Sequence, residues 1–358
     1  MSRFHKIKIK NINRETHDCV SLSLDMPEDL KQTFKYNHGQ YLTFRRIENG
    51  EEVRRSYSLC SSPVEGEWKV AIKKVPEGRF STYATSVLKV GEELEVMPPS
   101  GRFFTPLDIK NEKNYLFFAA GSGITPVLSI VKTILHTEPK SGLTLIYGNK
   151  GRNSIIFKEE IEGLKNKYIN RMSVHHILSR EQGDTELLFG RIDKPKVKMI
   201  LEKIINFDQI DECFVCGPEE MIHAVTATLT DAGLDKKRIH SELFTTSQTG
   251  QKQYIPRQLT KEEHDKKSHV TIKLDGSVRE MEMSYYGDTI LDAALATGAD
   301  LPFSCKGGMC STCRAKVTKG KVEMDVNYSL EPDELAAGYV LTCQARPLSD
   351  EIEVDFDI

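Results

Sequence analysis

The sequence has no long, unbroken hydrophobic run. Its most apolar stretch, Tyr115 to Val131, is interrupted by Gly121, Ser122, Gly123 and Pro126, which argues against a membrane span. The opening residues, MSRFHKIKIKNI, hold no apolar segment of the kind a secretory leader needs, so a cytoplasmic protein is expected. No Lys/Arg cluster is interleaved with aromatics, which excludes the usual signature of nucleic-acid binding. Internal repeats and low-complexity tracts are also missing. So is the Glu-x-x-His pattern, repeated on separate helices, that builds a di-iron centre. Eight cysteines without an export signal point to reduced thiols or metal ligation instead of a disulfide framework.

What is present suits a soluble protein of two or three domains: 358 residues, 39% hydrophobic and 28% charged. Charge is unevenly placed. From His269 onward there are 8 Lys/Arg against 16 Asp/Glu, a net of −8, whereas the first 268 residues carry +5. Such asymmetry bears on docking, not on fold.

Four of the cysteines carry the clearest signal. Cys305, Cys310 and Cys313 stand at C-x4-C-x2-C spacing, and Cys343 follows. This is the plant-type ferredoxin spacing, in which four thiolates hold a [2Fe–2S] cluster. Gly307 and Gly308 give the loop dihedral freedom and backbone N–H groups that can point at sulfur. Zinc is the competing reading of Cys310-x2-Cys313, but Cys305 and Cys343 do not form the second short pair that zinc sites usually have. Around this loop, Val270–Val278 reads as a hairpin turning at Asp275-Gly276, and Asp288–Gly298 as a short helix. Ser329–Ala337 reads as a second helix, Tyr339–Ala345 as a strand carrying Cys343, and Glu351–Phe356 as a last strand. That is the order of a β-grasp ferredoxin domain over 269–358. The charges of Glu331, Asp333, Glu334 and the acidic tail read as a solvated face. Residues 246–268 are polar and aperiodic, as a tether is.

The first hundred residues alternate like short strands at Phe4–Ile12, Val20–Leu24, Gln40–Phe44 and Trp68–Ile72, with one short helix near Ser81–Leu88. A small antiparallel barrel over 1–108 is expected. Within it, Arg55 and Tyr57 fall on one face of an extended Arg-Ser-Tyr-Ser run, where a guanidinium and a phenol can meet a pyrophosphate and a flat ring. Ser58 points the other way or sits at a bend. The Gly78–Thr82 stretch, with Ser81 and Thr82, opens a helix in a manner suited to phosphate. Pro99-Ser-Gly-Arg-Phe103 closes the barrel.

Residues 109–245 alternate strands and helices, as a parallel-sheet α/β domain does. Strand Tyr115–Ala120, the turn Gly121-Ser-Gly123-Ile-Thr125-Pro126 and a helix from Val127 present backbone N–H groups to a ligand, although Pro126 stands where a dinucleotide fingerprint has its third glycine. Cys213 and Cys216 lie on one strand, which turns them to opposite faces of the sheet and argues against a shared metal.

With these motifs in place, the chain resembles the ferredoxin–NADP reductase family extended by a plant-type ferredoxin. R-x-Y-S, Gly78–Thr82, P-x-G-x-F, Cys216-Gly217-Pro218 and Ser179-Arg180 carry the likeness. It implies FAD, with Arg55 on the pyrophosphate, Tyr57 against the isoalloxazine, Ser58 near its reactive nitrogen and Gly78, Ser81 and Thr82 at the phosphates. It implies NADPH, or NADH, at Gly121, Gly123 and Thr125, with Ser179 and Arg180 on the 2′-phosphate and Cys216, Gly217 and Pro218 near the nicotinamide. Phe244 would cover the flavin. Arg79, where related chains often carry a second glycine, departs from the pattern. The stretches CKGGMCSTC and NYSLEPDELAAGYVLTCQA, with GRID at Gly190–Asp193, narrow the likeness to oxygenase reductases. The implied acceptor is a separate di-iron oxygenase that epoxidises the ring of phenylacetyl-CoA. The alternatives are another oxygenase, a hybrid-cluster protein, or a non-enzymatic zinc-stabilised adaptor.

Overall fold

The computed structural model describes residues 4–182, 185–244 and 266–358. The described residues divide into two compact units, one up to residue 244 and one from residue 266. Most of the tether expected over 246–268 lies outside the described residues, and its last two residues, Lys267 and Ser268, instead begin a strand.

In the first unit, period-two alternation builds an antiparallel sheet. Its strands are β1 (His5–Thr16), β2 (Cys19–Asp25), β3 (Tyr41–Glu48), β4 (Glu51–Ser58), β5 (Trp68–Lys73) and β6 (Glu93–Val96), in the order β4-β3-β6-β1-β2-β5. A bridge from Leu59 to Val70 joins the two outer strands and closes a barrel. Ile7, Ile9, Leu22, Leu42, Phe44, Val70 and Ile72 fill it from alternate positions. Helix α1 (Arg79–Ser86) adds Phe80 and Ala84 to that core.

The same unit continues as β7 (Asn114–Ala120), α2 (Ile124–Thr137), β8 (Gly142–Asn149), α3 (Lys158–Lys167), β9 (Met172–Leu178), α4 (Lys194–Lys203), β10 (Glu212–Gly217), α5 (Glu219–Asp231) and β11 (Ile239–Leu243). The sheet is parallel, in the order β11-β10-β7-β8-β9. Chain order reverses between β7 and β10, and open α/β sheets bind ligands in the crevice beyond the carboxyl ends at such a point. Both faces are apolar, so the strands read as continuous hydrophobic runs. Cys213 belongs to the core on one face and Cys216 to the core on the other, as their spacing requires.

Barrel and sheet are fastened together. Cys19, Cys60, Ala71 and Phe103 of the barrel region join the core around α2. The Ser129 hydroxyl donates to the Ser61 carbonyl at 2.6 Å. Buried Lys132 lies 2.9 Å from both Glu65 and Glu160, so its charge is paired on two sides.

The second unit holds β12 (Lys267–Leu274), β13 (Ser277–Ser284), α6 (Ile290–Ala296), β14 (Arg314–Lys319), β15 (Val322–Met324), α7 (Pro332–Ala336), β16 (Tyr339–Leu341), β17 (Ala345–Pro347) and β18 (Glu351–Asp355). The main sheet runs β13-β12-β18-β14-β16, parallel only between β12 and β18, with β15 and β17 paired beside it. Ile290, Leu291 and Ala294 of α6 bury into its core with Val270, Ile272, Ile352 and Val354. This is a β-grasp sheet. Its first hairpin turns at Asp275 and Gly276, both at positive φ (50° and 71°), as a two-residue hairpin turn demands.

Two expectations are corrected. Cys343 is not on a strand: β16 stops at Leu341, and Thr342 gives both its N–H (3.1 Å) and its hydroxyl (2.9 Å) to the Cys313 carbonyl, bending the chain there. Glu334 is not part of a solvated face. It is buried and receives a hydrogen bond from Arg314 at 3.1 Å, while Glu331 and Asp333 are exposed.

Candidate functional site

On β4, Arg55 is exposed, Tyr57 half-buried and Ser58 buried. The Tyr57 ring packs 6.0 Å from Phe44 and 5.6 Å from Phe80, and burial pushes its phenol above the ordinary range. The Arg55 guanidinium donates to the Arg54 carbonyl at 2.7 Å. Gly78 caps α1, and a Cβ there would stand 2.4 Å from Ser81 Oγ. That hydroxyl accepts from the Val75 N–H and donates to the Gly78 carbonyl, each at 3.2 Å, so Ser81 shapes the turn from within. Thr82, half-buried on the next position, donates its N–H to the Gly78 carbonyl at 2.9 Å. Arg79 swings away from the turn to Glu48 (2.5 Å) and Glu51 (2.6 Å) on the neighbouring hairpin. The departure in sequence therefore serves a salt-bridge network and leaves the turn open.

The β7–α2 turn meets the end of β10 at backbone contact. Gly121 takes φ +54°, and a Cβ on Gly123 would fall 2.1 Å from the Cys216 carbonyl oxygen. A Cβ on Gly217 would meet Met221 at 2.6 Å and Ala120 at 3.2 Å. Close backbone approach requires glycine at Gly123, whereas at Gly217 the nearest atom is the movable end of the Met221 side chain. Thr125 is buried and donates to the Ser122 carbonyl at 3.0 Å, and Pro218 precedes the first turn of α5. Cys216 is fully buried, and burial holds its thiol protonated, well above the ordinary value. Phe244, just past β11, packs half-buried against the core that contains Cys216. Ser179 and exposed Arg180 follow β9, their N–H groups tied to the Asn149 and Lys150 carbonyls at 2.9 Å.

Two residues of this crevice escaped sequence reasoning. Glu242 on β11 faces Ser58, whose hydroxyl lies 3.5 Å from Glu242 Oε2. The carboxylate is not shut off from solvent, but protein packs round it densely enough to push its pKa from 4.5 to about 8. Lys73, at the end of β5, reaches to 3.9 Å from where a Cβ on Gly121 would stand, with Asp18 3.8 Å away. Neither has a local motif; each is placed by a contact between segments far apart in sequence.

The Glu242 shift has a sign that can be tested. Between pH 4.5 and about 8 the folded chain keeps a proton that the unfolded chain has lost, so stability falls as pH rises through that window. In flavin-free protein, Glu242→Gln should gain on the parent by about 2 kcal/mol between pH 5 and 8, less than the full shift because of partial solvation. Denaturant unfolding at several pH values measures the difference; a gap that does not change with pH would remove the carboxyl from this role.

In the second unit four thiols converge as two pairs. Cys305 lies with Cys310 and Cys313 with Cys343, and within each pair one thiol is pushed down (Cys305, to about 5, and Cys343) and the other up. The Gly307 N–H donates to Cys305 Sγ at 3.3 Å and the Cys305 N–H to Cys310 Sγ at 3.5 Å. The Thr312 hydroxyl adds a second donor to Cys310 Sγ at 3.2 Å. The loop conformation comes from unexpected residues. Gly308 takes φ +75°, but Gly307 has no positive φ; Lys306 and Ser311 do instead, at +50° and +53°. Among the described residues, no three His, Cys, Asp or Glu side chains gather as ligands of one metal ion. Two thiol pairs with N–H donors aimed at sulfur suit a two-iron cluster, one pair for each iron, better than a single zinc ion.

Comparison with known proteins finds similarity along the whole chain. The families described as oxidoreductase FAD-binding domain, oxidoreductase NAD-binding domain and 2Fe-2S iron-sulfur cluster binding domain match residues 6–105, 117–227 and 272–348. The chain is 44% identical over 357 residues to a component of the 1,2-phenylacetyl-CoA epoxidase of Escherichia coli K12, covering 100% of this chain and 99% of that one. It is 34% identical to the ferredoxin reductase component of 3-ketosteroid-9-alpha-monooxygenase of Rhodococcus rhodochrous, covering 99% and 97%. Among solved structures, phthalate dioxygenase reductase shares the fold with a TM-score of 0.58 and 22% identity, covering 99% of this chain and 98% of that one. No helix among the described residues is long and apolar enough to cross a membrane.

Proposed function

Because the chain belongs to the family of oxygenase reductases that join FAD-binding, NAD-binding and [2Fe–2S] domains in one polypeptide, we propose that it draws electrons from NADPH and delivers them to a phenylacetyl-CoA epoxidase in phenylacetate catabolism. The observation that carries the choice of acceptor is the 44% identity along the whole length of the epoxidase component. When bound, the flavin takes hydride from the nicotinamide and the [2Fe–2S] centre carries electrons onward one at a time.

The protein's part is to bind and orient. Arg55 holds the flavin pyrophosphate, with Gly78, Ser81 and Thr82 shaping the phosphate turn. Tyr57, locked by Phe44 and Phe80, offers its ring edge or face to the flavin, and Phe244 covers the other side. Ser58 and Glu242, 3.5 Å apart, supply a hydroxyl and a carboxyl that is protonated at neutral pH, a pair able to hold a proton beside the reacting ring. Gly121, Gly123 and Thr125 present backbone to the nicotinamide cofactor's pyrophosphate, assisted by the Lys73 ammonium. Gly217 and Pro218 leave room for the nicotinamide over Cys216, whose neutral thiol supplies bulk without charge. Cys305 and Cys310 would hold one iron, Cys313 and Cys343 the other.

We assign the barrel to residues 1–108, the nucleotide domain to 109–245, a connecting segment to 246–266 and, because β12 already begins at Lys267, the ferredoxin domain to 267–358. A cytoplasmic setting is supported by eight cysteines that are all free of disulfides.

Ser179 and Arg180 are assigned to the 2′-phosphate. Arg180→Ala should cost roughly tenfold or more in kcat/KM with NADPH, from loss of a charge-assisted bond, and little with NADH. Steady-state kinetics with both cofactors decide it; equal losses would sink the assignment. The acceptor is tested by combining the chain with the purified catalytic components of the epoxidase and following NADPH use and epoxide formation. NADPH oxidation that is indifferent to phenylacetyl-CoA, with no product, would point to another oxygenase.

A further inference from the structure

Gln344, the residue after Cys343, stands apart from the ligands yet touches both halves of the cysteine site. Its Nε2 donates to the Lys306 carbonyl at 2.9 Å and lies 3.7 Å from Cys343 Sγ, within hydrogen-bond range of a sulfur acceptor. Its Cγ packs 3.4 Å from where a Cβ on Gly308 would stand. The side chain therefore crosses from the Cys343 turn to the 305–310 loop as a strap. The Gly308 N–H also bonds to the Cys343 sulfur, and the Tyr328 N–H and Ser329 hydroxyl reach the Gly308 carbonyl from a different segment, at 3.1 and 3.3 Å, so Gln344 is the side-chain donor beside a backbone one.

We propose that Gln344 is a positioning residue that sets the reduction potential of the [2Fe–2S] centre, through an amide N–H directed at the Cys343 sulfur while the same amide is anchored on Lys306. The inference rests on the assignment of these four cysteines to the cluster. The step it governs is the gain of one electron, supplied by the nicotinamide through the flavin, with no bond made or broken. The added electron raises negative charge on the sulfurs, so a donor aimed at one of them stabilises the reduced form more than the oxidised form. Anchoring on Lys306 matters because a free glutamine would turn its amide to water; held at both ends, it keeps the donor on sulfur.

The test uses the full holoprotein and an EPR-monitored redox titration. Gln344→Met keeps a stem of similar length over Gly308 and removes the donor. The one-electron reduction equilibrium should fall three- to tenfold, which for a single electron is a shift of at most about 59 mV to lower potential. Gln344→Glu keeps the shape, replaces the donor with an anionic acceptor, and should fall further than Met. In the parent protein, ENDOR should detect an exchangeable proton coupled to the centre that Gln344→Met lacks. That measurement stands even if a variant loads poorly. Iron content and the visible spectrum of each variant separate failure of the cysteine assignment, which would leave the parent itself without a cluster, from failure of this proposal. Unchanged midpoints in both variants, or an unchanged exchangeable-proton coupling in Gln344→Met, would overturn it. A strap that is merely structural would change cluster lifetime and leave the midpoint alone.

Discussion

Cys343→Ser should strip the chain of its cluster spectrum while leaving its flavin chemistry in place. Cys343 is buried, shares one thiol pair with Cys313, and is held there by Thr342 bonding to the Cys313 carbonyl. A hydroxyl at this position is a harder, far more basic ligand than a thiolate, so iron loses the donor it prefers. Changes to residues that merely orient a metal ligand typically cost 10–100-fold, and loss of the ligand itself should cost more than about 100-fold in NADPH-driven reduction of cytochrome c or an oxygenase. Ferricyanide reduction by NADPH, which draws on the flavin, should stay within about twofold of the parent, because the residues proposed for flavin and nicotinamide belong to the other compact unit. The measurements are iron content, the visible spectrum and the two activities side by side. Full oxygenase reduction without a cluster would disprove the proposed electron path. Loss of ferricyanide activity in protein that keeps its FAD would disprove the independence of the two units.

That division of labour was legible in the sequence because each part depends on local pattern. The cysteine spacing, the alternating strands of the barrel and the strand–turn–helix at Gly121 are set by neighbours a few residues apart, where periodicity and turn chemistry speak directly. The opposed faces of Cys213 and Cys216 followed from strand geometry alone. What was missed is non-local. Glu242 matters because β11 brings it to Ser58, 184 positions away in sequence, and nothing around it marks it out. Glu334 read as solvated because a helix of Glu, Pro and Asp looks so; only the approach of Arg314 shows that it is buried. Cys343 read as a strand residue because its flanks are β-like, whereas Thr342 finds a better partner in the Cys313 carbonyl than in any strand. Even the glycine argument for the cluster loop was half right, since Lys306 and Ser311 take left-handed dihedrals that Gly307 does not. A surrounding structure that fixes the loop at many points can hold such residues at a cost of roughly 1–3 kcal/mol each.

Gly123 tests the other half of the protein. Its φ is an ordinary −61°, so alanine would meet no dihedral objection there. The objection is spatial: the new Cβ would lie 2.1 Å from the Cys216 oxygen, 2.5 Å from its carbonyl carbon and 2.9 Å from the Gly217 nitrogen. All three are backbone atoms of β10, which cannot turn aside as a flexible side chain would. The β7–α2 turn must therefore move off the end of β10, widening the crevice where the nicotinamide cofactor is proposed to lie. Overpacking of this kind costs about 1–3 kcal/mol. Gly123→Ala should lower the melting temperature of the first unit by several degrees, at roughly 2–4 °C per kcal/mol for a domain of this size. NADPH affinity should drop about tenfold or more, since each 1.4 kcal/mol is tenfold. Gly163→Ala is the matched control: beyond the backbone of its own helix turn nothing lies within 4 Å of the new methyl, and on α3 alanine should be neutral or stabilise by up to about 1 kcal/mol. Differential scanning calorimetry and NADPH titration of the two variants give the comparison. If Gly123→Ala melted and bound NADPH like Gly163→Ala, the backbone contact between the turn and β10 would not be what shapes the crevice.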